Sequence, residues 1–317
     1  MSGHVLTFGE TMGLFRAVDV GDLAEVGDAR IGTGGADSNV AIGLTRLGVG
    51  AVWVGRVGPD GLGRRVVCDI RGQGVDVRAI IDAEAPTGLM VKEKRTPHTT
   101  RVSFYRSGSA GSRLAPGDID PELVVNAALV HITGITASIS GSARETVHDV
   151  IDLARESQVP VSFDVNHRSS LWRTGDPAAT YREIAAKADI IFAGEDEAAL
   201  LTGLPQDDPE ALAIALASGA GGPLAVVKQG AAGSLALRDG ILIKRNAIRV
   251  PVIDSVGAGD AFVAGFLARY IQGNDVSSCL ELATIAGAFA CMGPGDWESM
   301  PRNEDLELLK NTEPVTR

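Results

Sequence analysis

Asp254-Ser-Val-Gly-Ala-Gly-Asp260-Ala-Phe262 is the stretch from which the rest of the chain can be organised. An apolar, β-like run, Ile248–Ile253, leads into it, and a helical pattern over Asp260–Gln272 follows. Glycine has no Cβ and takes left-handed backbone angles freely. Gly257 and Gly259 therefore let consecutive N–H groups point into one hollow at a helix start. Such a hollow suits an anion, and Asp260 beside it can accept a proton from a hydroxyl. A plainer reading stands next to this one, with Asp260 a helix N-cap and the glycines a turn. Two other phosphate motifs are excluded. A G-x-G-x-x-G fingerprint needs glycine at Phe262, and a Walker loop needs G-K-[ST], which occurs nowhere in the chain.

Working outward, short apolar runs alternate with helical patterns, which predicts βαβ units and a mostly parallel sheet. The strands expected are Val5–Phe8, Ala51–Val57, Leu129–Thr133, Val161–Asp164, Ile190–Ala193, Leu224–Lys228 and Ser234–Leu237. Helices are expected over Asn39–Leu47, Leu62–Gln73, Ser142–Gln158, Asp260–Gln272 and Val276–Met292. Gly48 and Gly74 are the expected C-terminal caps and Ser142 an N-cap. Two regions, near 11–33 and 86–107, alternate apolar and polar residues instead. They predict a small β lid inserted into a single domain spanning 1–317, with a hairpin from Thr87–Lys92 to Arg101–Arg106 through a polar turn at Lys94–Thr99. The tail, Asn311–Arg317, is expected to fray.

Composition narrows the partners. The 317 residues carry a net charge of −11, which leaves no basic face for nucleic acid but does not exclude a nucleotide. Cys68, Cys279 and Cys291 are widely spaced, with no C-x-x-C, and the N-terminus lacks a secretory pattern. Reduced thiols in a cytoplasmic protein are the expectation. No run reaches the ~20 apolar residues of a membrane span. His131 reads as a core residue, His98 and His148 as solvent-facing, and Trp172 and Trp297 as packing residues.

The run D-S-V-G-A-G-D-A-F resembles the C-terminal signature of the ribokinase, or PfkB, family of carbohydrate kinases. A second stretch, Gly34-Gly35-Ala-Asp-Ser-Asn39 onward to Gly48, followed by Gly55-Arg-Val-Gly58-Pro-Asp60-Gly-Leu-Gly63, is similar to that family's N-terminal signature. The resemblance covers nearly the whole chain. It implies a ribokinase-like three-layer α/β fold and transfer of phosphate from ATP with Mg2+, and it leaves a monovalent cation open. Asp260 would be the base, with anion-hole N–H groups from Gly257, Ala258 and Gly259. Lys228, Gly230 and Gly233 would border the nucleotide, and Gly34, Gly35 and Asn39 the substrate. The family's N-x-x-E motif falls on Gly194-Glu-Asp-Glu197, so Glu197 is carried over toward the metal while Gly194 departs from the pattern; Glu195 and Asp196 are alternatives. A homodimer paired through the lid is the implied assembly.

Three further segments, Gly9–Phe15, Tyr105–Ala110 and Asp164–Trp172, resemble 2-keto-3-deoxygluconate kinases. Those enzymes must recognise a carboxylate, a task that suits the planar fork of Arg106 or Arg168. Tyr105 would join them, although neighbouring side chains on a strand face opposite ways unless a bulge intervenes. Phe104 and Met90 stand where that subfamily has tyrosines. A neutral-sugar kinase and a catalytically silent sugar- or nucleotide-binding regulator remain the alternatives.

Overall fold

The protein, described here from a computed structural model, is defined over residues 3–96, 99–172, 175–219 and 222–309. His98 and the tail from Asn311 lie outside the described residues. In chain order the strands begin with β1 His4–Phe8, β2 Met12–Val20, β3 Ala29–Gly34, β4 Ala51–Val57, β5 Asp76–Ile81, β6 Leu89–Thr96 and β7 Thr99–Tyr105. They continue with β8 Ala127–Thr133, β9 Val161–Asp164, β10 Ile190–Gly194, β11 Leu224–Lys228, β12 Ser234–Arg238 and β13 Ile241–Arg245. The helices are α1 Ala36–Arg46, α2 Gly61–Gly72, α3 Pro121–Val125, α4 Gly134–Ile139, α5 Gly141–Glu156, α6 Pro177–Ala185, α7 Glu195–Thr202 and α8 Pro209–Ala217. The last two are α9 Ala258–Ile271 and α10 Val276–Cys291.

Strands buried on both faces read as continuous apolar runs, and β9 and β10 are of that kind. They belong to a nine-stranded sheet of order β13-β12-β11-β10-β9-β8-β1-β4-β5. Every pairing from β5 to β11 is parallel, and β12 runs antiparallel to both its neighbours. Successive side chains go to opposite faces: Val5 packs with α1, α2, α9 and α10, while Leu6 and Phe8 pack with α5 to α8. The result is a helix–sheet–helix sandwich. From β1 the chain first adds strands on one side and then on the other, so the connection order reverses between β4 and β8. Open α/β sheets bind ligands beyond the carboxyl ends of strands at such a point.

The expected strands and helices are all present, with ends shifted by a few residues. Gly48 and Gly74 follow α1 and α2 with φ of +82° and +88°, as C-terminal caps. The N-cap of α5 is Ser140, which accepts from the Ala143 N–H, and Ser142 lies inside the helix. Ile248–Ile253 forms no strand. Pro251 has no N–H to offer a ladder, and the segment is tied by the Ile253 and Asp254 N–H groups to the Cys291 carbonyl. Both edge strands, β5 and β13, went unforeseen because a half-exposed edge needs no continuous apolar run.

The two regions of alternating sequence come together as a separate four-stranded sheet of order β3-β2-β6-β7. Its outer pairs are antiparallel, and the central β2–β6 pair is parallel. One face carries a small apolar patch of Met12, Leu14 and Met90, and looks toward the carboxyl ends of the main sheet.

Candidate active site

Helix α9 begins where the Gly-rich turn ends. Gly257 has φ +79°, and a Cβ there would lie 1.8 Å from the Asp296 carbonyl oxygen, so only glycine fits. Three residues on, Asp260 lies in the first helical turn and is buried. Asn39 of α1 donates to its Oδ2 at 2.8 Å, and Asn166, after β9, approaches Oδ1 at 3.5 Å. Asn166 holds φ +38°, an uncommon angle that asparagine tolerates better than most residues. Burial pushes the Asp260 carboxyl up to about 6; the Asn39 hydrogen bond, Arg168 and Lys228 pull it down, and Asp164 adds to the rise. The group is ionised at neutral pH yet basic enough to take a proton.

Two cavities meet at this helix start. A polar cleft of about 670 Å³ is lined by Asn39, Asp260, Gly257, Gly259, Arg106 and Arg168 among others. An apolar cavity of about 690 Å³ is lined by Gly230, Gly233, Val250, Val252, Ala258, Phe262, Ala288 and Cys291. Lys228, Ser255 and Gly259 border both. Ala258 thus faces the apolar side, and its N–H turns back to the Ser255 carbonyl at 3.3 Å, unlike the neighbouring glycines of the expected anion hole. Gly233, at φ +117°, has the Arg245 carbonyl 2.1 Å from where a Cβ would be. Lys228 is paired with Asp164 at 2.6 Å. Burial alone would depress its ammonium, but Asp164 and Glu197 outweigh that and hold its pKa above the usual lysine value.

The far end of the cleft is built from backbone and from the small sheet. A Cβ on Gly34 would meet an Asp296 carboxylate oxygen at 2.2 Å, and one on Gly35 the Glu10 carbonyl at 2.5 Å. The pair is glycine because of close approach, not backbone angle. Arg106 and Arg168 both line the cleft. Arg106, however, already donates through Nε to Glu10 at 2.7 Å, and Ser109 donates to the other Glu10 oxygen. Arg168 is exposed and donates to the His167 carbonyl. Tyr105 does not belong to the cleft. It pairs in register with Leu89 on the outer face and is 64% exposed, whereas Phe104 and Met90, paired on the inner face, line the cleft. With no bulge at this end of β7, alternation decides the matter.

A carbohydrate-kinase family model, the pfkB family, matches residues 2–303. The chain belongs to this family. It is 35% identical to the 2-dehydro-3-deoxygluconokinase of Bacillus subtilis (strain 168), covering 96% of this chain and 95% of the relative. It is 31% identical to the 2-dehydro-3-deoxygalactonokinase of Haloferax volcanii, covering 97% and 99%. Among solved structures, a PfkB protein from Polaromonas sp. JS666 superposes with a TM-score of 0.85 at 32% identity, over 94% of this chain and 99% of that one.

In this kinase both carboxylate oxygens of Glu197 accept backbone N–H groups. One carboxylate oxygen accepts the His167 N–H at 2.7 Å and the other the Gly194 N–H at 2.6 Å, so it caps α7 and pins the loop that carries Arg168. Glu195 accepts from Gln229, which leaves Asp196 as the exposed carboxylate of this turn that lines the cleft. Among the described residues no cluster of three or more His, Cys, Asp or Glu could cage a metal. Mg2+ needs no such cage, since it binds through one or two carboxylates plus phosphate oxygens and water. Sequence reading did not single out Asp164, Glu10, Lys92 or Asp296 as part of the site. Asp164 had a signal, a lone carboxylate ending an apolar strand; the others come from loops and a lid strand whose register was not yet known. His131 is a core residue bonded to Ser162, and Trp297 packs under Arg46 and donates to the Thr33 carbonyl. His148 is half-buried.

Proposed function

We propose that this kinase transfers the γ-phosphate of ATP to a hydroxyl of a 2-keto-3-deoxy sugar acid. The observation that carries the reading is Asp260, buried where an apolar cavity suited to a purine base meets a polar cleft bearing two arginines. The Asp260 carboxylate removes the hydroxyl proton as that oxygen attacks phosphorus. The N–H groups at the start of α9, with its helix dipole and Lys228, hold the charge that builds on the phosphoryl group. Asn39 fixes Asp260 through its amide, while its own buried oxygen, unpartnered among the described residues, accepts from the sugar. Gly230 and Gly233 let the backbone approach the nucleotide. Mg2+, when bound, neutralises phosphate charge; Asp196 would meet it directly, with Glu197 behind.

Relatives named for both the gluconate- and galactonate-derived acids support the acid class without choosing between epimers. A neutral sugar is the second reading, and the Glu10–Arg106 pair favours it, since a neutralised arginine attracts a carboxylate less. The small sheet serves as a lid, excluding water from the transfer. Val18, Val20, Ile31 and Tyr105, exposed on that sheet, support a homodimer formed through it. ADP release measured across 2-keto-3-deoxy acids, aldonates and ketohexoses tests the assignment. Turnover of 2-keto-3-deoxy acids alone supports it, preference for fructose or ribose replaces it with the second reading, and no ADP release with any of them overturns both.

A further inference from the structure

Lysine almost never lies fully buried unless paired, because an ammonium loses its hydration there. Lys92, on β6 of the small sheet, is 2% exposed. Its Nζ lies 2.6 Å from Asp254 and 3.6 Å from Asp296, which are 3% and 7% exposed. None of the three facing atoms makes a well-angled hydrogen bond among the described residues, so the ammonium acts on the acids as a point charge. Both acids belong to the anion-binding turn. Asp254 opens it and accepts the Val256 N–H at 3.2 Å. The Asp296 carbonyl packs against Gly257, and its carboxylate packs against Gly34. Two residues along the same face of β6, Lys94 donates to the Ile253 carbonyl at 3.0 Å, just before the turn.

We propose that Lys92 is a positioning residue for phosphoryl transfer: the chain's own monovalent cation, which holds Asp254 and Asp296 together and so shapes the Gly257–Gly259 turn. Without it two buried carboxylates would repel each other beside the incoming phosphates, and the turn would open. The same ammonium ties the small sheet to the turn, so sheet position and anion geometry are set together. An added potassium ion has no part to play between these two acids, because Lys92 already fills the place. The proposal rests on the kinase reading above.

Steady-state kinetics of wild type and Lys92→Met test it, with circular dichroism to verify the fold. The expected result is a kcat lowered about a hundredfold, the size of effect seen when an oxyanion hole is disturbed. KM for the sugar acid should change far less than kcat, by about threefold, since Lys94 and the Arg106–Glu10 pair still hold the small sheet. Ammonium ions should recover part of kcat in Lys92→Ala, and wild-type turnover should not change when potassium is exchanged for sodium or tetramethylammonium. If Lys92→Met does not fold, Lys92→Gln, which keeps hydrogen-bond donors without the charge and leaves both acids in place, carries the same comparison. Wild-type kcat in either folded variant, or a potassium requirement in wild type, overturns the proposal alone. A wild type inert toward every sugar and sugar acid removes the kinase reading and this inference with it.

Discussion

The two sheets of this kinase are held in place by different forces. The nine-stranded sheet is clamped between two broad apolar layers, with Trp53, Phe163, Phe192 and Phe266 wholly buried. The four-stranded sheet has an apolar patch of only three buried residues and is tied to the rest of the site by charge, through Lys92, Lys94 and the Arg106–Glu10 pair. Apolar burial is non-directional and robust, whereas charge pairs depend on geometry and on their partners' ionisation. The first sheet therefore supplies a rigid frame for Asp260, and the second an adjustable wall for the substrate.

That contrast can be broken or sharpened by experiment. Asp260→Asn keeps shape and removes the base; kcat should fall about a thousandfold while the melting temperature is kept or raised, since a buried acid is lost. Phe163→Ala, in the frame, should cost about 3–5 kcal/mol of stability in denaturant unfolding. Met90→Ala, in the wall, should cost less and show itself in the sugar KM. Arg168→Ala should raise KM for an acid substrate about 10- to 100-fold, the worth of a charge-assisted hydrogen bond, and leave neutral sugars nearly unaffected. Equal effects on both would remove the carboxylate role.

Three buried acids dominate the pH dependence, opposed by His131, whose imidazole burial pushes down to about 3. Asp37, Asp260 and Asp296 are pushed up by burial to about 7, 6 and 7 from a usual 3.8. Between these limits the folded state binds more protons than the unfolded chain, so stability falls as pH rises. Their contribution is full below pH 3.8 and is lost through pH 6 to 7. The melting temperature of the ligand-free protein should therefore drop between pH 5 and pH 8, and Asp37→Asn should flatten that slope. Turnover should move the opposite way, falling below about pH 6 as Asp260 takes a proton. The smallest effect is expected at Tyr105→Ala, on the outer face, with KM changed less than about twofold.

How much of this could be read beforehand depended on which force was at work. Apolar periodicity located β4, β9 and β11 to the residue, because burial on both faces leaves an uninterrupted signal. The glycines and Asp260 were legible because few residues can make such a turn. What escaped was long-range pairing. Nothing near Glu10 in sequence announces Arg106, and Lys92 looks like any polar residue of an alternating strand until β6 is placed against Asp254. Glu197 was recognised by motif, but its His167 N–H partner appears only when β9 and β10 lie side by side.

The pairing of β7 with β6 also acts as a selector. Phe104 and Arg106 face the cleft, with the guanidinium 6.0 Å from the ring, only because Met90 is set opposite Phe104. A slip of one residue would present the phenol of Tyr105 to the sugar and turn Arg106 outward. The same short segment thus encodes two different pocket walls, and the register of β7 against β6 chooses between them.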